Sequence, residues 1–132
     1  LVDRTKEIAD ELGVPIVCIH YNTKKFPGMI NVRGIGPAAF LKLVNGAAFI
    51  CTDSFHGACL SLNFNKSFVV KTSDSSVQSN VRITDLLVRY GIEGCLYRDG
   101  VASSTVDYGH ANQILSHDRE MARAFIARSI GL

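Results

Sequence analysis

Thr52-Asp53-Ser54-Phe55-His56-Gly57 is the stretch on which the reading of this chain turns. It follows Ala47-Ala48-Phe49-Ile50-Cys51, a short apolar run after Gly46 that reads as a buried strand. It precedes Ala58-Cys59-Leu60-Ser61-Leu62-Asn63, which suits a packed helix. A strand-to-helix turn of this kind lies at the carboxyl end of the strands in an open α/β sheet, where ligands bind. The free N–H groups of the helix start favour an anion there and would set His56 beside a bound phosphate or carboxylate. A plainer reading stands next to it: Asp53 or Ser54 caps the helix and His56 is simply exposed on its first turn.

Working outward, the pattern alternates helix and strand. Leu1, Thr5, Ile8 and Leu12 form one face of an N-terminal helix that Gly13 ends. Val14 to Tyr21 is apolar and β-branched, hence a strand, with His20 and Tyr21 at its end as loop anchors or as residues reaching a crevice. Residues 22–36 read as a long loop carrying Lys24, Lys25 and Arg33, suited to an anion or merely solvated. Gly34-Ile35-Gly36 lacks the third glycine of a dinucleotide fingerprint. Pro37 opens a helix running through Val44.

Beyond the central turn, Phe68-Val69-Val70-Lys71 reads as a further strand with Lys71 at its carboxyl end. Residues 72–80 read as a serine-rich loop. A helix follows with Asn80 as N-cap, Arg82 in its first turn, and Ile83, Leu86, Leu87 and Tyr90 on its apolar face. A cation in a first turn is electrostatically disfavoured, which points to an anionic partner. Cys95-Leu96-Tyr97-Arg98 reads as an edge strand, and the chain from Tyr108 onward as a helix with Met121, Ala122, Phe125 and Ser129 along one face. His110 and His117 read as surface residues. This alternation implies parallel βαβ units: an α/β fold with a Rossmann-like open parallel sheet flanked by helices, one domain over residues 1–132.

Composition removes several classes of function. The 132 residues are 47% apolar and 20% charged, ordinary for one globular domain. A net charge of +2 offers no bulk attraction to nucleic acid. No apolar run approaches the length of a membrane helix. Cys18, Cys51, Cys59 and Cys95 show no paired spacing and read as reduced core residues of a cytosolic protein. The histidines are scattered, so no metal site is expected. The absence of an initiator Met, with Leu1 already inside a helical pattern, is read as the mark of a piece of a longer protein.

Three blocks carry a resemblance: Gly36 to Leu41, Ala47 to Gly57, and Phe64-Asn65-Lys66-Ser67-Phe68-Val69. With Asn80 to Leu87, Tyr90-Gly91-Ile92 and Val106-Asp107-Tyr108, they resemble the polysaccharide pyruvyltransferase family, in order and over nearly the whole chain. The resemblance implies the C-terminal half of a GT-B-like enzyme whose missing N-terminal half completes the cleft, so the isolated chain is expected to be inactive. It implies transfer of pyruvate from phosphoenolpyruvate, the donor substrate, onto two hydroxyls of a sugar or lipid-linked saccharide, forming a ketal for a cell-surface polysaccharide or exopolysaccharide. No separate cofactor is implied.

His56 matches the family's histidine and would be the general acid, with Ser54, Phe55, Gly57, Lys71 and Arg82 as substrate-binding residues. Imidazole ordinarily titrates near neutral pH, which suits that role. Some family members carry arginine where this chain has Ser54, so the carboxylate clamp is expected from Arg82 or from the missing half. The implied location is the cytoplasm, at the inner face of the membrane in peripheral association. Two alternatives remain open. A GT-B donor half for a nucleotide-sugar would show a ribose-binding acid and a glycine-rich loop, and neither is evident. A non-catalytic Rossmann-like binding module is the other.

Overall fold

The computed structural model describes residues 1–20, 25–72, 77–98 and 106–131. Residues 21–24, with Tyr21 and Lys24, 73–76, 99–105 and Leu132 lie outside the described residues.

The first helix, α1 (Val2–Leu12), buries Ile8 and Ala9 and is closed by Gly13 in the left-handed region, φ 64°, whose N–H donates to the Ala9 and Asp10 carbonyls. Only glycine adopts that conformation readily. The expected face is thus rotated slightly: Ala9 joins Ile8 inside, while Leu12 is exposed. Strand β1 (Val17–Ile19) pairs in parallel with β2 (Ile30–Val32), from Val17 opposite Ile30 to Ile19 opposite Val32. β2 falls inside the loop expected over residues 22–36. The strand is hard to see because it is three residues long and sits between glycine-containing polar stretches. Helix α2 (Pro37–Gly46) starts at its proline, as expected.

Strand β3 (Ile50–Thr52) then pairs in parallel with β4 (Phe68–Val70), Thr52 standing opposite Val70. Helix α3 (Phe55–Asn63) joins them, and Asn65, φ 52°, makes the return turn, a conformation that asparagine tolerates better than most residues. Helix α4 (Val77–Tyr90) begins three residues before the expected cap. Asn80 therefore lies within the helix and Arg82 in its second turn, which removes the first-turn argument for an anion. Where a strand is expected at residues 95–98, a 3₁₀ turn, Glu93–Cys95, is followed by isolated bridge residues, Leu96, which pairs in parallel with Val70, and Arg98. Helix α5 (Tyr108–Ser129) is capped by the Asp107 carboxylate, which accepts from the Gly109 and His110 N–H groups.

The architecture is α/β with parallel pairing throughout. Among the described residues the expected single open sheet is two separate two-stranded sheets, β1-β2 and β3-β4. Each strand contributes three residues, and beyond the two ladders Val70 is also bridged by Leu96 on its other side. The continuous core lies around β4: Ala58 and Leu62 of α3, Phe68 and Val70, Ile83 and Leu87 of α4, Cys95 and Leu96, and Ala111 and Leu115 of α5. Burying such side chains stabilises by roughly 1.5–3 kcal/mol each relative to exposure. Of the four cysteines only Cys95 is fully buried, and all four are free thiols.

Candidate active site

The turn after β3 is held by local hydrogen bonds that its own hydroxyls supply. Thr52 Oγ1 accepts from the Ser54 N–H at 3.1 Å. Ser54 is the N-cap of α3, and its Oγ accepts from the Gly57 N–H at 3.3 Å. The capping reading of Ser54 therefore holds. Helix geometry leaves the N–H groups of Phe55 and His56 without intrahelical acceptors. His56 is exposed on this first turn, with its ring 5.8 Å from that of Phe55 in an edge-on arrangement. Asp53, also exposed, precedes it.

Gly57 is buried, and a side chain there would run into Thr52: a Cβ would stand 3.1 Å from Thr52 Cβ and 3.3 Å from Cγ2, with the hydroxyl closer still. Its place in the motif is thus a packing requirement. Lys71 is exposed one step beyond the last registered pair of the β3-β4 ladder, its N–H donating to the Thr52 carbonyl at 2.9 Å. Backbone pairing fixes its Cα beside the turn. Arg82 crosses from α4, its guanidinium carbon 5.0 Å from the centre of the Phe55 ring. That is a cation–π contact. Arg82 also borders an open depression of about 480 Å³ that Val77, Gln78 and Val81 line.

Two of the expected residues are therefore tied to the turn by contacts, Lys71 through backbone and Arg82 through Phe55. Among the described residues no hydrogen bond or ion pair joins His56, Lys71 and Arg82 directly to one another. Arg33 follows β2, in the other parallel pair. The thiols nearby are poor nucleophiles. Burial pushes Cys59 up, opposed by the neighbouring Arg82, and burial pushes Cys51 up, opposed by the Thr5 hydroxyl. No group of three or more His, Cys, Asp or Glu among the described residues can hold a metal.

A family model described as polysaccharide pyruvyl transferase matches residues 2–75, more than half of the chain. The chain belongs to that family. No curated protein and no solved structure matches it. The polysaccharide pyruvyl transferase match takes in β3, the turn with His56, α3, β4 and Lys71, while α4 with Arg82 and all of α5 lie beyond it. None of the described helices is long and apolar enough to cross a membrane.

Two structural residues escaped the sequence reading. Thr52 belongs to the motif and also braces it; a hydroxyl two residues before an N-cap is the signal that marks this role. Asn31 organises the β1-β2 connection. Its Oδ1 meets His20 Nε2 at 3.1 Å and accepts the Phe26 N–H at 2.9 Å, and its Nδ2 donates to the Phe26 and Met29 carbonyls. The buried His20 is thereby a loop anchor.

Proposed function

We propose that this chain is the Rossmann-like C-terminal half of a GT-B-like polysaccharide pyruvyltransferase, and that a second half of the same protein closes its cleft. Its donor is phosphoenolpyruvate and its acceptor a sugar, free or lipid-linked, of a polysaccharide precursor. The reading rests on one observation above others: an exposed imidazole, His56, stands on the first turn of a helix whose free N–H groups favour an anion.

In this reading the His56 imidazolium gives its proton to the methylene carbon of phosphoenolpyruvate. The double-bond electrons form the new C–H bond and leave an oxocarbenium-like carbon at the enol position. One sugar hydroxyl attacks that carbon and passes its proton to the now neutral imidazole. A second hydroxyl then displaces phosphate, which leaves carrying that hydroxyl's proton, and the carbon ends bonded to two sugar oxygens as the ketal. Lys71 and Arg82 supply the positive charge for phosphate and carboxylate, as ammonium and guanidinium groups do elsewhere. Stacking on Phe55 limits the rotamers open to Arg82, so less freedom is lost when it engages an anion. The chain alone is expected to bind the donor weakly and to make no ketal.

The test is ligand-observed NMR of this chain with phosphoenolpyruvate and a panel of nucleotide-sugars, repeated with His56→Ala and Arg82→Ala. The expected result is a phosphoenolpyruvate signal weakened by either substitution and silence from the nucleotide-sugars. Binding of a nucleotide-sugar in its place would overturn the proposal in favour of a glycosyltransferase donor half.

A further inference from the structure

The first part of α5 belongs to the core: Ala111 and Leu115 are buried, and the Asp118 carboxylate is held by Arg89 and by the Tyr90 hydroxyl at 2.8 Å. Past Arg119, whose guanidinium donates to Asn63 Oδ1 at 2.9 Å, the helix leaves the body. Every residue from Glu120 to Ser129 is exposed apart from Ala127. That is about 15 Å of helix at 1.5 Å per residue.

This free part is not polar. Met121, Phe125, Ile126 and the following Ile130 are each more than half exposed. At about 100° per residue they fall on one half of the helix circumference. Arg128 lies just outside one edge of that half and Arg123 just outside the other, while Glu120 falls on the opposite side. Among the described residues neither arginine has a carboxylate at ion-pair distance, and the Arg128 Nε–H donates only to its own helix at Ala124.

We propose that the second half of α5 is a docking surface for an anionic membrane. An apolar face flanked on both edges by cations is the pattern of a helix lying in the lipid interface, with its side chains in the acyl boundary and its guanidinium groups among the headgroups. Charge decides against a second copy of this helix as occupant. Antiparallel pairing of the two apolar faces would bring the arginine edges together, with no carboxylate on those edges to compensate. The inference deepens the expected peripheral membrane association of the transferase reading by naming the surface that carries it, while resting on the α5 geometry alone.

Co-sedimentation of the 132-residue chain with vesicles of phosphatidylcholine and phosphatidylglycerol, against phosphatidylcholine alone, tests it. Binding is expected to the mixed vesicles and not to the neutral ones, and to fall as salt is raised. R123Q/R128Q is expected to weaken partitioning roughly thirtyfold, and F125S/I126S to abolish it. Lys6→Glu, an exposed cation change on α1, leaves it unchanged. All these sites are on the surface, so the melting temperature and the phosphoenolpyruvate signal stay as in the parent. The proposal is overturned by any of three results: no binding to the mixed vesicles, equal loss in Lys6→Glu, or a concentration-dependent dimer that F125S/I126S dissolves in a chain that ignores vesicles.

Discussion

The Thr52 side chain occupies the space into which a side chain at Gly57 would have to grow. Strand β3 and helix α3 thus meet through a threonine pressed on a bare backbone. Gly57→Ala should destabilise the chain by about 1–3 kcal/mol, the usual cost of forcing atoms into a filled site. Thr52→Ala in the same chain should return part of that loss, making the pair non-additive. Urea midpoints of the two single variants and the double variant check this. Strict additivity would mean that the two residues do not press on each other.

Ser54 and Tyr108 hold the ends of the same segment. Ser54→Ala removes the α3 cap and should cost about 1 kcal/mol, whereas Ser54→Asp should cost far less. Tyr108 donates its hydroxyl to the Lys66 carbonyl and more loosely to that of Ser61 at 3.4 Å, tying α5 to the turn after α3. Tyr108→Phe should cost about 1–2 kcal/mol. Chemical denaturation measures both, and far-UV circular dichroism shows whether helix content is kept.

Asn31→Leu is expected to be among the more damaging single changes outside the core. It keeps the volume but strips partners from the Phe26 N–H and from two carbonyls that are only partly wet. Groups left unsatisfied in this way cost about 1–3 kcal/mol each when buried, less here. A melting temperature within a degree or so of the parent would show that water replaces the amide at no cost.

In alkali, the buried Cys95 thiol is pushed up from 9.0 to about 11 by burial. The Tyr108 phenol is pushed up from 10.0, by burial first and then by Cys95. Both groups keep their protons longer in the folded chain than in the unfolded one. Their contribution is therefore complete below pH 9 and declines as pH rises from there through about 11. Thermal melts between pH 7 and 11 should show that fall, and Cys95→Ala should delay its onset.

In acid the sign reverses. Asp118 is held below its ordinary 3.8, first by the Arg89 hydrogen bond and then by that of Tyr90. Its contribution is present above 3.8 and is lost as pH drops through the lowered value. Carboxyl NMR titration of Asp118 should give a midpoint below 3.8 that Arg89→Gln raises.

The sequence reading of the central turn needed only local chemistry, which is why it survives in detail: a β-branched run, a serine at an N-cap and a glycine where nothing larger fits. Pro37 and Gly13 marked helix ends for the same reason. What it missed depends on distant parts of the chain. β2 is a strand because β1 lies beside it, not because Ile30-Asn31-Val32 alternates. α4 extends back to Val77 through residues that look like loop, and this moved Arg82 out of the first turn while bringing it over Phe55. Where a strand is expected at 95–98, the 3₁₀ turn takes Cys95 and leaves only isolated bridges at Leu96 and Arg98.

The hydrogen bond from the Lys71 N–H to the Thr52 carbonyl bears on how relatives of this chain can vary in length. Side chains alternate faces along a strand, so one residue inserted between Ser67 and Lys71 would carry the ammonium group to the other side of the sheet while leaving His56 where it is. Replacements within β4 that stay apolar keep the two in step. The spacing from Phe68 to Lys71 accordingly fixes which face of the sheet Lys71 takes, whereas a change of length in the turn after α3 leaves that pairing intact.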